Sequence, residues 1–245
     1  MKKRHFILMA LMALAVGTSW GQTTPHVAIG DILCSDNSTV RREDWPASGK
    51  TPIGIVFYVE YSDSDGKWHG SAIHLSEAHD LMWAGAGSAT STIGSNATNV
   101  VKVAVSDWDG AGNTSEMVGK IGSSSLTSSK YPVLYYVNKT LGGQWYLPAM
   151  GQLHYLYGYI DEINRTVEEL NSKASGTAVA FGPAEDDFPS GNWSYWPSTE
   201  YDASSMWFLN YNGDCAGVPN PIDEGCTATP AAKSNQMRVR AAIDF

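Results

Sequence analysis

The run GQWYLPAMGQLHYLY, residues 143 to 157, limits the folds open to this chain more than any other stretch. In it an aromatic, strand-like segment turns directly into an amphipathic helix. From Leu153 onward, apolar side chains recur at Leu156, Ile160, Ile163, Val167 and Leu170, steps of three and four that align them along one helical stripe. A stripe of that length must face a core. Pro148 suits a first helical turn, where its missing N–H costs nothing, while Gln144 to Leu147 favour extended backbone through their aromatics. Gly158 is placed to divide the helix in two, and the segment from Asn171 to Gly176 to end it.

At the other end, Lys2, Lys3 and Arg4 precede an apolar run from Phe6 to Val16, followed by small residues at Gly17, Ser19 and Gly21. This is the pattern of an export signal, residues 1–21, cleaved after Gly21. Neither this run nor a later one is long enough for a comfortable membrane span, so no membrane insertion is expected. The chain is expected to be exported, whether periplasmic, secreted or at the cell surface. Residues 22–27 then read as a leader and 28–245 as a single domain, since 43% hydrophobic content with nine Trp is enough to bury a core. Loss of the three basic residues takes the formal net charge from −9 to about −12, which repels phosphate backbones and excludes nucleic acid as a partner. Three cysteines leave one unpaired. Cys215 and Cys226 bracket the loop GVPNPIDEG, which a bridge would restrain by about 3 kcal/mol, and Cys34 stays as a small buried apolar residue.

Between these landmarks, GIVFYV within Pro52 to Glu60 is β-branched, aromatic and apolar on both faces, as a central strand should be. Asp63 to Gly66 turns the chain, and Lys67 to Leu75 returns as the second arm of a hairpin. Ser76 to Trp83 reads as a turn or helical piece, Ala84 to Asn99 as a long irregular loop, and Asn113 to Ile121 as a helix capped by Asn113 or Thr114. Tyr131 to Val137 is expected to be extended. Tyr195 to Thr199, Ser205 to Tyr211 and Met237 to Ile243 read as three more strands. Short strands in mixed or antiparallel sheets, two helices and long irregular loops in one chain make the fold class α+β.

Trp145, Leu147, Pro148, Leu153 and Leu156, then Tyr195, Trp196, Ser198, Thr199 and Glu200, then Arg238, Val239 and Arg240 follow one another in an order that resembles the C-type-lectin-like family. The resemblance is to the branch related to formylglycine-generating enzyme and to the C-terminal domain of collagen-like bacterial adhesins. It spans residues 28 to 245 and rests on order and spacing rather than on one motif. It implies a C-type-lectin-like fold, a role at the surface of gut bacteria, and ligand contact in the region that follows Gly191.

Signals for catalysis fail individually. Gly49, Lys50 and Thr51 imitate the end of a phosphate loop, but Asp44 stands where its first glycine belongs. His69, His74 and His79 are spaced so that they share no face of a strand or helix, and no Gly-x-Ser-x-Gly elbow, His-Glu-x-x-His or Cys-x-x-Cys occurs. The cysteine pair of the formylglycine-generating relatives has no counterpart motif at Cys215 or Cys226. No cofactor is implied. Glu185 to Asp187, or Asp107 and Asp109 with Asn113 and Glu116, offer oxygen ligands for calcium, set against the commoner arrangement of solvated acids near loops and helix starts.

What remains is a surface of aromatic, amide and hydroxyl side chains: Asn192, Trp193, Tyr195, Tyr201, Asp202, Ser204, Ser205, Asn210, Tyr211, Asn212 and Asp214. Tyr and Trp give contact area at low entropy cost and the small polar residues set hydrogen bonds, which is what a recognition surface needs. Trp196 and Trp207 read as core, and Arg238 and Arg240 as buttresses. The expected function is non-catalytic recognition of a glycan or protein ligand, adhesin-like or as an accessory subunit of a larger surface assembly. The alternatives are a divergent enzyme of the formylglycine-generating fold and a structural subunit of a surface appendage.

Overall fold

A computed structural model describes residues 26–88, 92–173, 178–180, 194–210 and 228–245. In chain order these form strands β1 (Ile32–Cys34), β2 (Thr39–Val40), β3 (Pro52–Ser62), β4 (Lys67–His74) and β5 (Ala78–Met82), then helices α1 (Val101–Ala104), α2 (Gly110–Ile121), α3 (Pro132–Tyr135), α4 (Met150–Tyr157) and α5 (Ile160–Lys173). Strands β6 (Ser194–Tyr195), β7 (Ser205–Asn210), β8 (Ala228–Ala232), β9 (Gln236–Val239) and β10 (Ala242–Asp244) follow. The class is α+β, with two five-stranded sheets ordered β10-β4-β3-β1-β2 and β5-β9-β6-β7-β8. All pairings are antiparallel except β6 with β9.

β3 is apolar on both sides because both sides of its sheet are covered. Ile55 and Phe57 join one core cluster, with Leu153, Leu156, Ile160, Ile163, Val167 and Leu170 from α4 and α5. Val56 joins the other, with Trp83, Trp196, Met117 and Val133. The helical stripe thus lies where its period requires, divided at Gly158. Pro148 and Ala149 precede the first turn of α4 instead of forming it, and Gln152 reaches back to cap it, its Oε1 accepting from Ala149 N at 2.9 Å. Gly151 N donates to Asp107 O at 2.8 Å. A Cβ at 151 would stand 2.5 Å from that carbonyl and 2.6 Å from Val105 O, so α4 and the 105–108 turn can meet only through glycine.

Several expected elements are different. Ser76 to Trp83 contains strand β5, because its backbone pairs with β9. Tyr131 to Val137 is helical, with Pro132 at the start of α3 and a π-helical turn at Tyr136–Thr140; its aliphatic residues Val133, Leu134 and Val137 form one buried helical face, and its tyrosines lie half-buried beside it. Helix α2 begins three residues earlier than Asn113, capped by Asp109, whose Oδ1 accepts from Gly112 N at 2.7 Å. Met237 to Ile243 is two strands in different sheets, β9 and β10, with Arg240 and Ala241 at the crossing. Of Tyr195 to Thr199 only Tyr195 is in a strand, and β8 is an addition. Cys34 is buried and free, as its apolar surroundings imply.

Candidate functional site

The segment from Ser194 to Glu200 passes through the interior, and all seven residues are buried. Tyr195 is therefore no surface contact. Its side chain is enclosed and its hydroxyl donates to Glu77 Oε2 at 2.6 Å, which corrects its assignment to the recognition surface. Trp196 and Trp207 are core, their indole N–H groups donating to Leu81 O at 2.8 Å and Thr98 O at 2.7 Å.

Glu77, in the turn between β4 and β5, is the first of two buried carboxylates under this region. Its oxygens accept from Arg238 Nη1 and Tyr195 at 2.6 Å, with His79 Nε2 at 3.3 Å and Arg240 Nη1 at 3.9 Å. Burial pushes the Tyr195 hydroxyl well above the usual tyrosine range, and the Glu77 charge adds to it, so Tyr195 is a fixed donor. Arg240 is also enclosed: Nε donates to His74 O at 2.8 Å and Nη2 to Val179 O at 2.6 Å. The two arginines buttress the fold, as their place in the sequence suggests.

His74 lies beside this cluster, its ring edge-on to Trp145 with centroids 4.5 Å apart and its Nδ1 accepting from Ser76 N at 3.1 Å. Burial lowers its pKa from the ordinary histidine value; the protonated ring's N–H bond to Ser76 O at 3.0 Å opposes this in part, and the Arg240 charge adds to the lowering. Below about pH 6.5 the unfolded chain then binds more protons than the folded one, so this contribution is complete above that pH and is lost as pH falls toward the folded-state value. Denaturation midpoints are expected to drop from about pH 7.5 to about pH 5, with a smaller drop in His74→Asn, which keeps the acceptor. An equal drop in both proteins would remove His74 as the cause.

The second buried carboxylate is Glu200. Its side chain and that of Lys233 are both fully enclosed and paired at 2.7 Å. Glu200 also accepts from the backbone of Ile93, at 3.1 and 3.0 Å, and of Gly94. Lys233 donates to Ala203 O at 3.0 Å and stands over the Trp83 ring, 5.2 Å from its centroid. Immediately above, residues 201 to 205 make a tight turn. Tyr201 N and Asp202 N both donate to Ser205 O at 3.2 Å, and Asp202 Oδ1 accepts from Ser204 N at 2.8 Å. These Ser204 bonds lower the Asp202 pKa below the ordinary carboxylate value.

Of the expected surface, Asp202 and Ser204 are exposed, while Tyr201 and Ser205 are half-buried, with Tyr201 packed edge-on against Trp207 at 5.0 Å. Asn210 ends β7, its backbone paired with Ser194. Asn192, Trp193, Tyr211, Asn212 and Asp214 lie outside the described residues, as do Cys215 and Cys226 with their proposed bridge, and Glu185 to Asp187. The structure thus brings together a compact turn held on a buried ion pair. It has the rigidity to display contacts.

In the other acidic cluster, Asp107 faces the interior. Asp107 Oδ2 accepts from Asn96 Nδ2 and Asn113 Nδ2 at 2.9 Å and from Thr199 Oγ1 at 2.7 Å, Asp109 caps α2, and Lys120 and Ser95 hold the Glu116 carboxyl down at about 2. These oxygens organise protein groups, and among the described residues no group of three or more His, Cys, Asp or Glu could hold a metal ion. Sequence reasoning missed Glu77 and Lys233, because a lone acid or lysine between short strands carries no periodic signal.

No protein-family model matches the sequence, and no curated protein matches it. In structure the chain is similar to a fimbrial protein from Bacteroides ovatus ATCC 8483, with a TM-score of 0.60 at 14% identity. The similarity covers 90% of this chain and 49% of that protein, so the chain spans about half its length. The shared property is the fold. Among the described residues no helix is long and apolar enough to cross a membrane.

Proposed function

We propose that this chain is an exported, non-catalytic recognition subunit of a bacterial surface appendage. In this reading, residues 28–245 form one C-type-lectin-like domain whose face around residues 191–214 binds a glycan or protein ligand. The observation that carries the appendage is the likeness of nearly the whole chain to part of a fimbrial protein. Recognition is supported by the anchored turn at Tyr201 to Ser205, whose exposed carboxylate and hydroxyls stand on the buried Glu200–Lys233 pair. The buried carboxylates Glu77 and Glu200 are each spent on internal partners, which favours a scaffold over a reaction centre.

A glycan and host-protein array, run with and without a chelator, tests the reading directly. Trp193→Ala combined with Tyr211→Ala is expected to abolish the array signals that depend on the 191–214 face while moving the melting temperature by no more than about 2 °C. Undiminished binding by the double variant would remove the proposed face. Turnover of a bound ligand would remove the non-catalytic assignment.

A further inference from the structure

A separate cleft of about 510 Å³ opens on the first sheet, within the range of about 300–1,000 Å³ for small-molecule sites. A bulge in β3 creates it. Val56 pairs with Ala72 and Tyr58 with Ser71, so Phe57 is the extra residue, and Phe57 and Tyr58 both turn toward the face covered by α4 and α5. Without the bulge, strand alternation would send Tyr58 and Glu60 to the opposite side. With it, Tyr58, Glu60 and their cross-strand partners Ser71 and His69 line one cavity.

Tyr58, Trp108 and Phe245 give that cavity an aromatic side. Trp108 stands 5.5 Å from Tyr58 and, outside the cleft, 5.3 Å from Tyr155 between ring centroids. Trp108 is 41% exposed, which is costly for an aromatic with no role in the core. The opposite wall is polar. Tyr58 donates to Glu60 Oε2 at 2.9 Å, Ser71 donates to Asp244 Oδ1 at 2.7 Å, and His69 Nε2 contacts Asp65 at 2.7 Å. Glu60 Oε1, Asp244 Oδ2 and His69 Nδ1 have no partner among the described residues.

We infer that this cleft binds a neutral pyranose sugar, its C–H face stacked on Trp108 and its hydroxyls donating to Glu60 and Asp244. A sugar ring has one apolar face and a rim of hydroxyls, and the cleft offers one of each complement. The two carboxylates repel sugars bearing an acid. A quaternary ammonium fits less well, because Tyr58, Trp108 and Tyr155 pack tilted or edge to face against one another and do not form a cage. The site is separate from β6 and β7, which belong to the second sheet.

The test titrates the full chain with lactose, chitotriose and methyl α-mannoside, with glucuronic acid and choline as controls, read by saturation-transfer NMR. At least one neutral probe is expected to bind, and Trp108→Ala to weaken it about tenfold or more, the effect of losing one stacked ring. Asp107 holds the turn that carries Trp108 through Asn96, Asn113 and Thr199, so the variant is expected to keep its fold. Glu60→Gln, at an exposed position, is the second variant and is expected to weaken the same probe. The Trp193→Ala with Tyr211→Ala protein is expected to bind it unchanged, which separates this cleft from the other face. Absence of binding by every neutral probe, tighter binding of choline or glucuronic acid, or undiminished binding in both cleft variants would overturn the inference.

Discussion

Glu200→Leu is expected to destabilise the protein by about 3–5 kcal/mol, among the largest effects of any single substitution here. It leaves the Lys233 ammonium fully enclosed without its carboxylate, and strips the Ile93 and Gly94 amides of their acceptor. Lys233→Met should cost less, about 2–3 kcal/mol, because the carboxylate keeps its two backbone donors when the ammonium goes. The double variant removes the buried charges but not the orphaned amides, each worth about 1–3 kcal/mol, so it should recover only part of the loss. Denaturant midpoints for the four proteins check the order. If Lys233→Met proves the worse of the two singles, the amide contacts are not what Glu200 is for. Hydrogen exchange at Ser204 and Ser205 should rise with the loss, since their turn stands directly on this pair.

That pair shows where sequence reasoning stops. Periodic features were legible: the stripe from Leu153 to Leu170, the hairpin around Asp63 to Gly66 and the two-sided apolar strand GIVFYV each repeat a physical requirement over many residues. Contacts made once over long separations were not. Glu200 and Lys233 meet across 33 residues, and Tyr195 meets Glu77 across 118, with nothing local to announce either. Tyr195 went astray for the same reason: a tyrosine among amides reads as surface, and only the buried carboxylate facing it makes an interior hydroxyl affordable. Tyr131 to Val137 failed differently, because aromatic and β-branched residues that favour strands also fill a helical face when tertiary packing asks for one. Trp108 and Tyr155 are neighbours through the Gly151 contact and Tyr58 joins them through the β3 bulge, and single-residue irregularities of that kind leave little mark on composition. The class α+β was thus readable, whereas the ion pairs and the cleft needed coordinates.

Arg240→Met should also cost about 3–5 kcal/mol, for a reason tied to topology as well as charge. Arg240 lies where the chain leaves β9 in one sheet for β10 in the other, and its guanidinium donates to the carbonyls of His74, Leu75 and Val179. His74 ends β4 and Leu75 begins the turn into β5, so the chain crosses between the sheets a second time at the same place. One planar fork therefore fastens both crossings. An ammonium is a single point with shorter reach, and Arg240→Lys is expected to recover less than half of the loss. By contrast, Arg238 is partly exposed and pairs with Glu77 near the surface, so Arg238→Met should cost distinctly less. Unfolding curves for the three variants decide the matter. Equal losses at 238 and 240 would mean that the Glu77 charge, common to both, matters more than the three carbonyls. A larger loss at 240, unrelieved by lysine, would assign the stability of the two-sheet arrangement to the carbonyl bonds themselves.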